Sequence, residues 1–544
     1  MIDSIDSFRQ NQEKDVLYTL FIGGCGAFGM NMTAYIINSE LYIVDVGLAF
    51  ANDHEIGIDS YVPDLGDLVS SFGAVSAYFI THGHEDHVGA LPLILERFPA
   101  PVYATAWTLK ILEDRVRKFG SRVSPDTYLV QSGDTTSTGS LRLHWNHMPH
   151  SIPGCCSILM EVNDLKIFHT GDFKFDRNPP YEEAPDEDKL RSFAPITALI
   201  SDSTNAQKDG YCPSESTLLD GLEESLKKYP DSLIVTTSFA SNFWRLKTIL
   251  SVAKKLGRLV FISGNSLFKT LEIAESMGYD FSKDVIIDEG QMRNLDRSQV
   301  LVIASGSQGE PRSSLRRIVF GEHRHVKLHE GDCIVFSSRV IPGNEKSVAM
   351  LVSEAHKNKI LVETSNTSNN IHVSGHAHQE DLLALIDLLG PKFHVPVHGT
   401  FTQLKANAQL QGSPVSVENG SILRVSDLEI KTVGKIRMDR LFVDSWSQRP
   451  MSYESMRSRH KIGDSGLCII SGTANEIEID LIGLPFDDDN DSSNCQDYIR
   501  NLISRNLDKH TSKSELNEFV RLSVRRHLSQ RFVKKPVVMS KITL

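Results

Sequence analysis

Thr81-His82-Gly83-His84-Glu85-Asp86-His87 carries three imidazoles and two carboxylates within the six residues from His82 to His87. So many polar groups in so short a stretch are costly to fold into an ordinary loop, and together they read as a metal-binding cluster. The apolar run Tyr78 to Ile80 before it reads as a strand, and Val88 to Phe98 after it as a helix. On a turn between the two, His82 and His84 face one ion while Asp86 and His87 face another. Borderline nitrogen and hard oxygen donors at this density suit paired zinc ions.

Two metals need ligands from elsewhere in the chain, one of them bridging. His150, in His147-Met148-Pro149-His150-Ser151, completes the first ion. Asp172, in His169-Thr170-Gly171-Asp172, is the bridging carboxylate, and His398, in Val397-His398-Gly399, completes the second ion. Asp45 follows the run Leu41 to Val44 and is expected behind a ligand, fixing an imidazole ring by accepting its N–H. Several of these residues end short apolar runs, as do Asp202 after Leu199 and Ile200 and His376 after Ile371 to Val373. Layered α/β proteins collect their ligands at such strand ends.

Bulk properties frame the reading. At 544 residues, 40% hydrophobic and 23% charged, the chain is ordinary globular material, enough for about three domains. No stretch approaches the roughly 18 apolar residues of a membrane span, and Met1 to Lys14 is polar where a secretory signal is apolar. A soluble cytoplasmic protein with no membrane partner is the expectation. The seven cysteines include no Cys-x-x-Cys pair, which points away from a disulfide framework and a thiolate zinc site. A net charge of −12 argues against broad adhesion to nucleic acid while leaving room for a local basic groove. Composition alone favours a small-molecule enzyme.

The chain divides by texture. Residues 1–212 alternate short β-rich runs with loops. Residues 213–368 hold four near-continuous apolar runs, Leu233 to Val235, Leu259 to Ile262, Val300 to Ile303 and Ile334 to Phe336, separated by helix-length segments. That is the pattern of a small parallel-sheet domain. The ligand pattern resumes over 369–440, so the parallel-sheet domain reads as an insertion. Residues 441–544 form a linker and a further small α/β module. It has an acidic turn-like segment at Asp487 to Asn494, a helix with Leu516, Phe519, Val520, Val524 and Leu528 near helical spacing, and a last strand after Pro536. Arg521, Arg525 and Arg526 lie between those apolar positions, and a solvated face on a packing or dimerising module is favoured over an RNA-reading one.

In this order the motifs resemble the metallo-β-lactamase superfamily, with Asp45, the cluster His82 to His87, His150, Asp172 and His398 at its five signature positions. The insertion, together with Asp202 in Ser201-Asp202-Ser203-Thr204-Asn205, His376 and His398, resembles the β-CASP nucleases within it. The chain is most similar to the RNase J ribonucleases. The resemblance runs through Gly57-Ile58-Asp59, Asp86-His87-Val88-Gly89-Ala90, Gly171-Asp172-Phe173-Lys174, Phe239-Ala240-Ser241-Asn242, Gly306-Ser307-Gln308-Gly309-Glu310-Pro311, Ile341-Pro342-Gly343-Asn344-Glu345-Lys346 and His372-Val373-Ser374-Gly375-His376. It weakens after about residue 440, and Ala27 stands where these relatives usually carry Glu.

The resemblance implies an α/β fold: a metallo-β-lactamase αββα sandwich, an inserted β-CASP parallel-sheet α/β domain and a small C-terminal α/β domain. It implies a zinc-dependent ribonuclease with two Zn2+ per subunit, Mn2+ or Mg2+ serving in vitro. The enzyme would be a 5′-to-3′ exonuclease preferring 5′-monophosphate RNA, with endonuclease capacity, in RNA decay and processing. Asp86, Asp172, Asp202 and His376 are its implied catalytic residues. Asp86 and Asp172 fix the metals and take the proton of the attacking water, and His376 serves the leaving 3′ oxygen, giving 5′-phosphate and 3′-hydroxyl ends. A 5′-monophosphate pocket is implied between Phe239, Ala240 and Ser241 on one side and His372, Val373, Ser374, Gly375 and His376 on the other. Hydroxyls and loop amides there cradle an anion, and Phe239 offers a stacking face. The implied partners are RNA, further copies of the chain in a homodimer or homotetramer, and components of an RNA-decay complex. Three other readings compete: an endonucleolytic β-CASP enzyme on RNA or DNA, a small-molecule metallo-hydrolase, and a non-catalytic scaffold. The insertion argues against the second and the full ligand set against the third.

Overall fold

The computed structural model describes residues 3–51, 55–411, 415–473, 476–507, 512–532 and 535–543. The chain forms two compact units, one of Met1–Ala49 and Val62–Arg440, the other of Phe50–Tyr61 and Leu441–Leu544.

The first unit holds three large sheets. In the eight-stranded sheet, Ile430–Lys435, Ser421–Val425, Leu17–Gly23, Met32–Ile37, Glu40–Val44, Val75–Phe79, Val102–Ala104 and Thr127–Leu129 lie side by side in that order. A six-stranded sheet runs Thr135–Thr138, Leu141–His147, Cys156–Val162, Leu165–His169, Ala198–Asp202 and Phe393–Val397. Phe21, Tyr35, Tyr42 and Phe79 from the first and Trp145, Ile158, Ile200 and Val395 from the second share one core, so the two sheets pack face to face. The chain leaves the six-stranded sheet at Asp202 and returns by the parallel pairing of Ala198–Asp202 with Phe393–Val397. The intervening segment builds the third sheet, which is parallel throughout: Ile286–Ile287, Leu259–Ser263, Val300–Ala304, Ile234–Thr237, Cys333–Phe336 and Leu361–Glu363. Its four long strands are the four apolar runs, continuous because helices bury both faces. Thr217–Lys227, Phe243–Lys255 and Asn265–Ser276 cover one face, while Ser314–Val319 and Glu345–Lys357 cover the other. The short edge strands were not legible as apolar runs.

Ile371 to Val373, which the sequence pattern groups with the strand ends, is irregular. Side chains rather than a sheet satisfy its backbone: Ser337 Oγ donates to the Ile371 carbonyl at 2.7 Å and Arg245 Nη2 to the Val373 carbonyl at 2.9 Å.

In the second unit, Ile477–Ile482, Leu467–Thr473 and Val537–Thr543 form a sheet under the helices Asp489–Ser504 and Lys513–Phe532. Leu516, Val520, Val524 and Leu528 line the core face of the long helix, with Phe519 partly buried beside them. The acidic segment expected as a turn is a helix start: the Asp488 carboxylate caps the Asp491 amide at 2.8 Å, and the acidic first turn complements the helix dipole. All seven cysteines are free and buried. Among the described residues no helix is long and apolar enough to cross a membrane.

Candidate metal centre

The loop Ile80 to His84 leaves the strand Val75–Phe79 in extended form, and Glu85–Val88 is a single helical turn. The extended part holds His82 and His84 on one side, and the turn carries Asp86 and His87 to the other. Two parallel strand pairs, Glu40–Val44 with Val75–Phe79 in one of the stacked sheets and Ala198–Asp202 with Phe393–Val397 in the other, deliver Asp45, the histidine cluster, Asp202 and His398 to the same region. Asp45 and His398 both take left-handed backbone conformations, φ 61° and 54°, which cost non-glycine residues of order 1 kcal/mol and persist where surrounding contacts fix them. Close approach requires glycine at Gly171, where a Cβ would lie 2.8 Å from Thr81 Cβ, and at Gly375, where it would lie 2.9 Å from the His150 ring.

Two ligand groups meet at Asp172. His82, His84, His150 and Asp172 each offer an atom within 4.8 Å of the others, as do Asp86, His87, Asp172 and His398. In the first, His84 Nδ1 lies 3.0 Å from His82 Nε2 and 3.2 Å from His150 Nε2, and Asp172 Oδ2 is 3.8 Å from His82. In the second, Asp172 Oδ1 is 3.1 Å from His87 Nε2 and 2.6 Å from His398 Nδ1, and Asp86 Oδ2 is 3.6 Å from His87 and 3.4 Å from His398. A third group, Asp172, Asp202, His376 and His398, overlaps both at Asp172.

Four of the five rings in these two groups, all but His398, are held from behind through their other nitrogen. His82 Nδ1 meets Thr81 Oγ1 at 3.0 Å, His84 Nε2 meets Ser151 Oγ at 3.1 Å, and His150 Nδ1 meets the Gly375 carbonyl at 2.6 Å. His87 Nδ1 meets Asp45 Oδ2 at 2.7 Å, and Thr81 N–H donates to the other Asp45 oxygen at 2.8 Å. This is the backing expected of metal-ligating histidines: an acceptor at one nitrogen fixes the tautomer and leaves the inward nitrogen with a free lone pair.

Electrostatics separates the groups. Burial holds His84 down to about 4 and His82 and His150 well below the usual imidazole range, so these three rings are neutral at pH 7. His87 and His398 are buried too, which opposes their charge, but Asp172 and the neighbouring carboxylates raise both well above the ordinary value. Asp172 and Asp86 are ionised despite burial, through those same histidines. The donor set fits divalent cations on a further observation. Asp172 Oδ1 and His398 Nδ1 are buried with no aligned hydrogen-bond partner although 2.6 Å apart, the arrangement of atoms that converge on a shared third atom. A cavity of ≈ 20 Å³ lies among Asn31, Asp45, His87, Asp172 and His398, beyond the ~10–15 Å³ that a water needs.

Beside these two groups, His376 Nδ1 bonds Asp202 Oδ2 at 2.8 Å, and the other Asp202 oxygen accepts from the amide and hydroxyl of Thr204 at 2.8 and 2.7 Å. The loop from Ile371 to His376 hangs on buried Arg245. Its guanidinium donates to Glu215 Oε1 at 2.8 Å, the Ser337 carbonyl at 2.7 Å, His372 Nδ1 at 3.2 Å and the Val373 carbonyl. Phe239 and Ala240 are half-buried and Ser241 exposed, and among the described residues no hydrogen bond joins them to the loop. The segment that follows approaches the candidate ligand His150 instead: Trp244 N–H donates to the carbonyl of its neighbour Ser151 at 3.5 Å. Sequence reasoning missed as supports Arg245, Thr81, Ser151 and Asn31, whose Nδ2 lies 3.2 Å from Asp86 Oδ2 and 3.0 Å from His87 Nε2. Ser151 had a signal, since it follows a proposed ligand directly; Arg245 had none.

Three family patterns match the chain: "Metallo-beta-lactamase superfamily" over residues 33–213, "Ribonuclease J, beta-CASP domain" over 231–355 and "Zn-dependent metallo-hydrolase RNA specificity domain" over 365–412. Ribonuclease J of Thermus thermophilus is 32% identical over 489 residues, covering 86% of this chain and 84% of that protein. Ribonuclease J 1 of Streptococcus pyogenes is 32% identical over 467 residues, covering 84% and 82%. Ribonuclease J of Mycobacterium tuberculosis is 34% identical over 434 residues, covering 78% and 77%. A crystal structure of a protein of unknown function from Enterococcus faecalis superposes with a TM-score of 0.55 at 16% identity, covering 75% of this chain and all of that one, a likeness of fold.

Proposed function

The chain belongs to the ribonuclease J family and is a metal-dependent ribonuclease, and on that premise we propose that it degrades RNA from a 5′-monophosphate end with two zinc ions. The observation that carries the metal reading is the convergence of two ligand groups on Asp172. His82, His84, His150 and Asp172 would hold one ion, and Asp86, His87, His398 and Asp172 the other. Bound there, the ions supply an activated water and neutralise charge on the scissile phosphate.

The chain's own residues do the rest. Asp45 and Thr81 keep His87 in one orientation, and Gly375 does so for His150, so the ligands are set before substrate arrives. With Nδ1 held by Asp202, His376 would have Nε2 left for the reacting phosphate. The carboxylate favours the protonated ring, which can give its proton to the departing 3′ oxygen. The loop His372 to His376 supplies the Ser374 hydroxyl and backbone amides for the terminal phosphate, and Phe239 to Ser241 supplies the facing wall.

The test uses two RNAs of one sequence, labelled at the 3′ end, one starting with a monophosphate and the other with a triphosphate. Progressive shortening of the monophosphorylated RNA, stopped by a chelator and restored by zinc, is expected. Equal internal cutting of both would replace this reading with an endonuclease.

A further inference from the structure

One tryptophan stands apart from the others. Trp107, Trp145 and Trp244 are buried, whereas Trp446 is 94% exposed. It sits in the turn that joins Arg440–Asp444 to Pro450–Met451, and hydrogen bonds fix that turn. Asp444 Oδ1 accepts the Trp446 and Ser447 amides at 3.1 and 2.6 Å, and the Asp444 amide donates to the Arg449 carbonyl at 3.0 Å. An ordered turn thus holds a large aromatic ring in water, where it gains nothing from burial.

The helix that follows, Tyr453–Ser465, is nearly bare. Of its 13 residues only Met456 is buried, so little of its stability comes from packing. Tyr453, Arg457 and Lys461 lie at i, i+4 and i+8 along one stripe, and all three are exposed, the tyrosine by 63%. Among the described residues no carboxylate pairs with Arg457 or Lys461, and like charges four apart on a helix repel. Between Asp444 and Lys461 the cations Arg449, Arg457, Arg459 and Lys461 outnumber the carboxylates Asp444 and Glu454, on a chain of net charge −12.

Two contacts align the turn with the helix. The rings of Phe442 and Tyr453 are 6.2 Å apart, and Arg459 Nη1 lies 2.5 Å from Asp444 Oδ2. Phe442 and Asp444, two apart in a strand, point to one face. Their partners are separated by about 9 Å along the helix at its rise of ~1.5 Å per residue. Strand and helix therefore run in the same sense, which leaves the Trp446 turn at the Arg459 end of the stripe and Tyr453 at the other. Aromatic faces set along a row of cations are what an unpaired nucleic acid strand needs: bases stack on the rings while the backbone follows the charge.

We propose that Trp446, Tyr453, Arg457 and Lys461 form a second RNA site, which holds unpaired nucleotides of the substrate by stacking and charge without regard to sequence. The proposal rests on the ribonuclease reading above and is independent of the 5′-monophosphate preference. A second copy of the chain is the competing occupant, and charge disfavours it. A two-fold contact turns the patch onto itself and sets Arg457 and Lys461 against cations.

The experiment uses the full-length Asp172→Ala chain, which leaves RNA intact, and a 5′-hydroxyl oligouridine of about thirty nucleotides, well beyond one single-strand site. Acrylamide quenching reads Trp446, the one exposed tryptophan, and the RNA protects its emission. In the same chain Trp446→Ala weakens binding about tenfold, the scale of one stacked base, and Trp446→Phe, which keeps an aromatic face, restores most of it. Arg457→Gln and Lys461→Gln each lower the slope of log affinity against log salt by about 0.7. In the otherwise wild-type enzyme these substitutions raise KM for the long RNA and leave kcat unchanged. Unchanged acrylamide access on adding RNA, together with wild-type affinity in Trp446→Ala, overturns the site. Protection that grows with protein concentration before RNA is added, with a dimer in sedimentation, overturns it in favour of a second copy. Because the probe has no 5′-phosphate, loss of the monophosphate preference in the cleavage assay leaves this readout unaffected.

Discussion

Two clusters of charge are buried in the same compact unit, and they are balanced differently. Around Arg245 the charges balance within the protein: Lys174 and Arg245 meet Asp176 and Glu215, with Ser337 and the Val373 carbonyl taking the remaining Arg245 donors, although Lys174 Nζ pairs by charge without an aligned hydrogen bond. Around Asp172 they do not. Asp45, Asp86, Asp172 and Asp202 face six imidazoles, three of which burial holds neutral. A buried cluster that answers its own charges ties parts of a fold together; one that leaves carboxylates and lone pairs pointing inward is built around cations it does not supply.

The largest expected effect tests the open cluster. Asp172→Ala or His84→Ala abolishes RNA cleavage while leaving the circular dichroism spectrum unchanged. Zinc at a thousandfold over its Kd stabilises the wild type by about 4 kcal/mol, and this gain is much reduced in either variant. Wild-type cleavage by either variant would remove it from the site.

The closed cluster predicts the opposite pattern, a stability loss that metal does not mend. Arg245→Met leaves Glu215 buried without its partner and costs about 3–5 kcal/mol, the usual penalty for breaking a buried pair from one side. Arg245→Met with Glu215→Leu recovers part of it. Urea unfolding with and without zinc checks both; a loss under 1 kcal/mol in the single variant would mean that water or Lys174 takes over the Glu215 charge.

The contrast also explains what the sequence disclosed. The open cluster is legible because its chemistry is concentrated: His82, His84, Asp86 and His87 share one turn, and most of the other ligands close apolar runs that do form strands. The three-sheet α/β architecture follows from the same runs. Arg245 was invisible, since an arginine in an amphipathic helix reads as solvated. Its partners Glu215, Ser337 and Val373 lie 30, 92 and 128 residues away, and only the folded chain assembles them. Ile371 to Val373 misled for a related reason: its apolar residues are buried as a strand's would be, but side-chain donors replace the ladder. The membership of Phe50–Tyr61 in the unit of Leu441–Leu544 is likewise a long-range pairing that local pattern cannot carry.

A third kind of buried titratable group carries no charge at all, and it gives the smallest prediction. His394 is fully buried in the strand Phe393–Val397, with Nε2 2.8 Å from Ser201 Oγ and Nδ1 without a hydrogen-bond partner. Burial pushes its folded pKa down to about 4. The unfolded chain, near 6.5, therefore binds the extra proton between those values, so stability is complete above about pH 6.5 and is lost as the pH falls toward 4. Between pH 7 and pH 5 this one ring removes about 2 kcal/mol. His394→Gln keeps a group able to bond Ser201 and does not titrate, so its urea midpoint falls less over that interval than the wild type's. The candidate metal ligands that also titrate are common to both proteins and cancel in the difference. Equal losses in the two would mean that the ring accepts its proton without leaving the core, through a water at Nδ1, and would place His394 with the charges that find a partner.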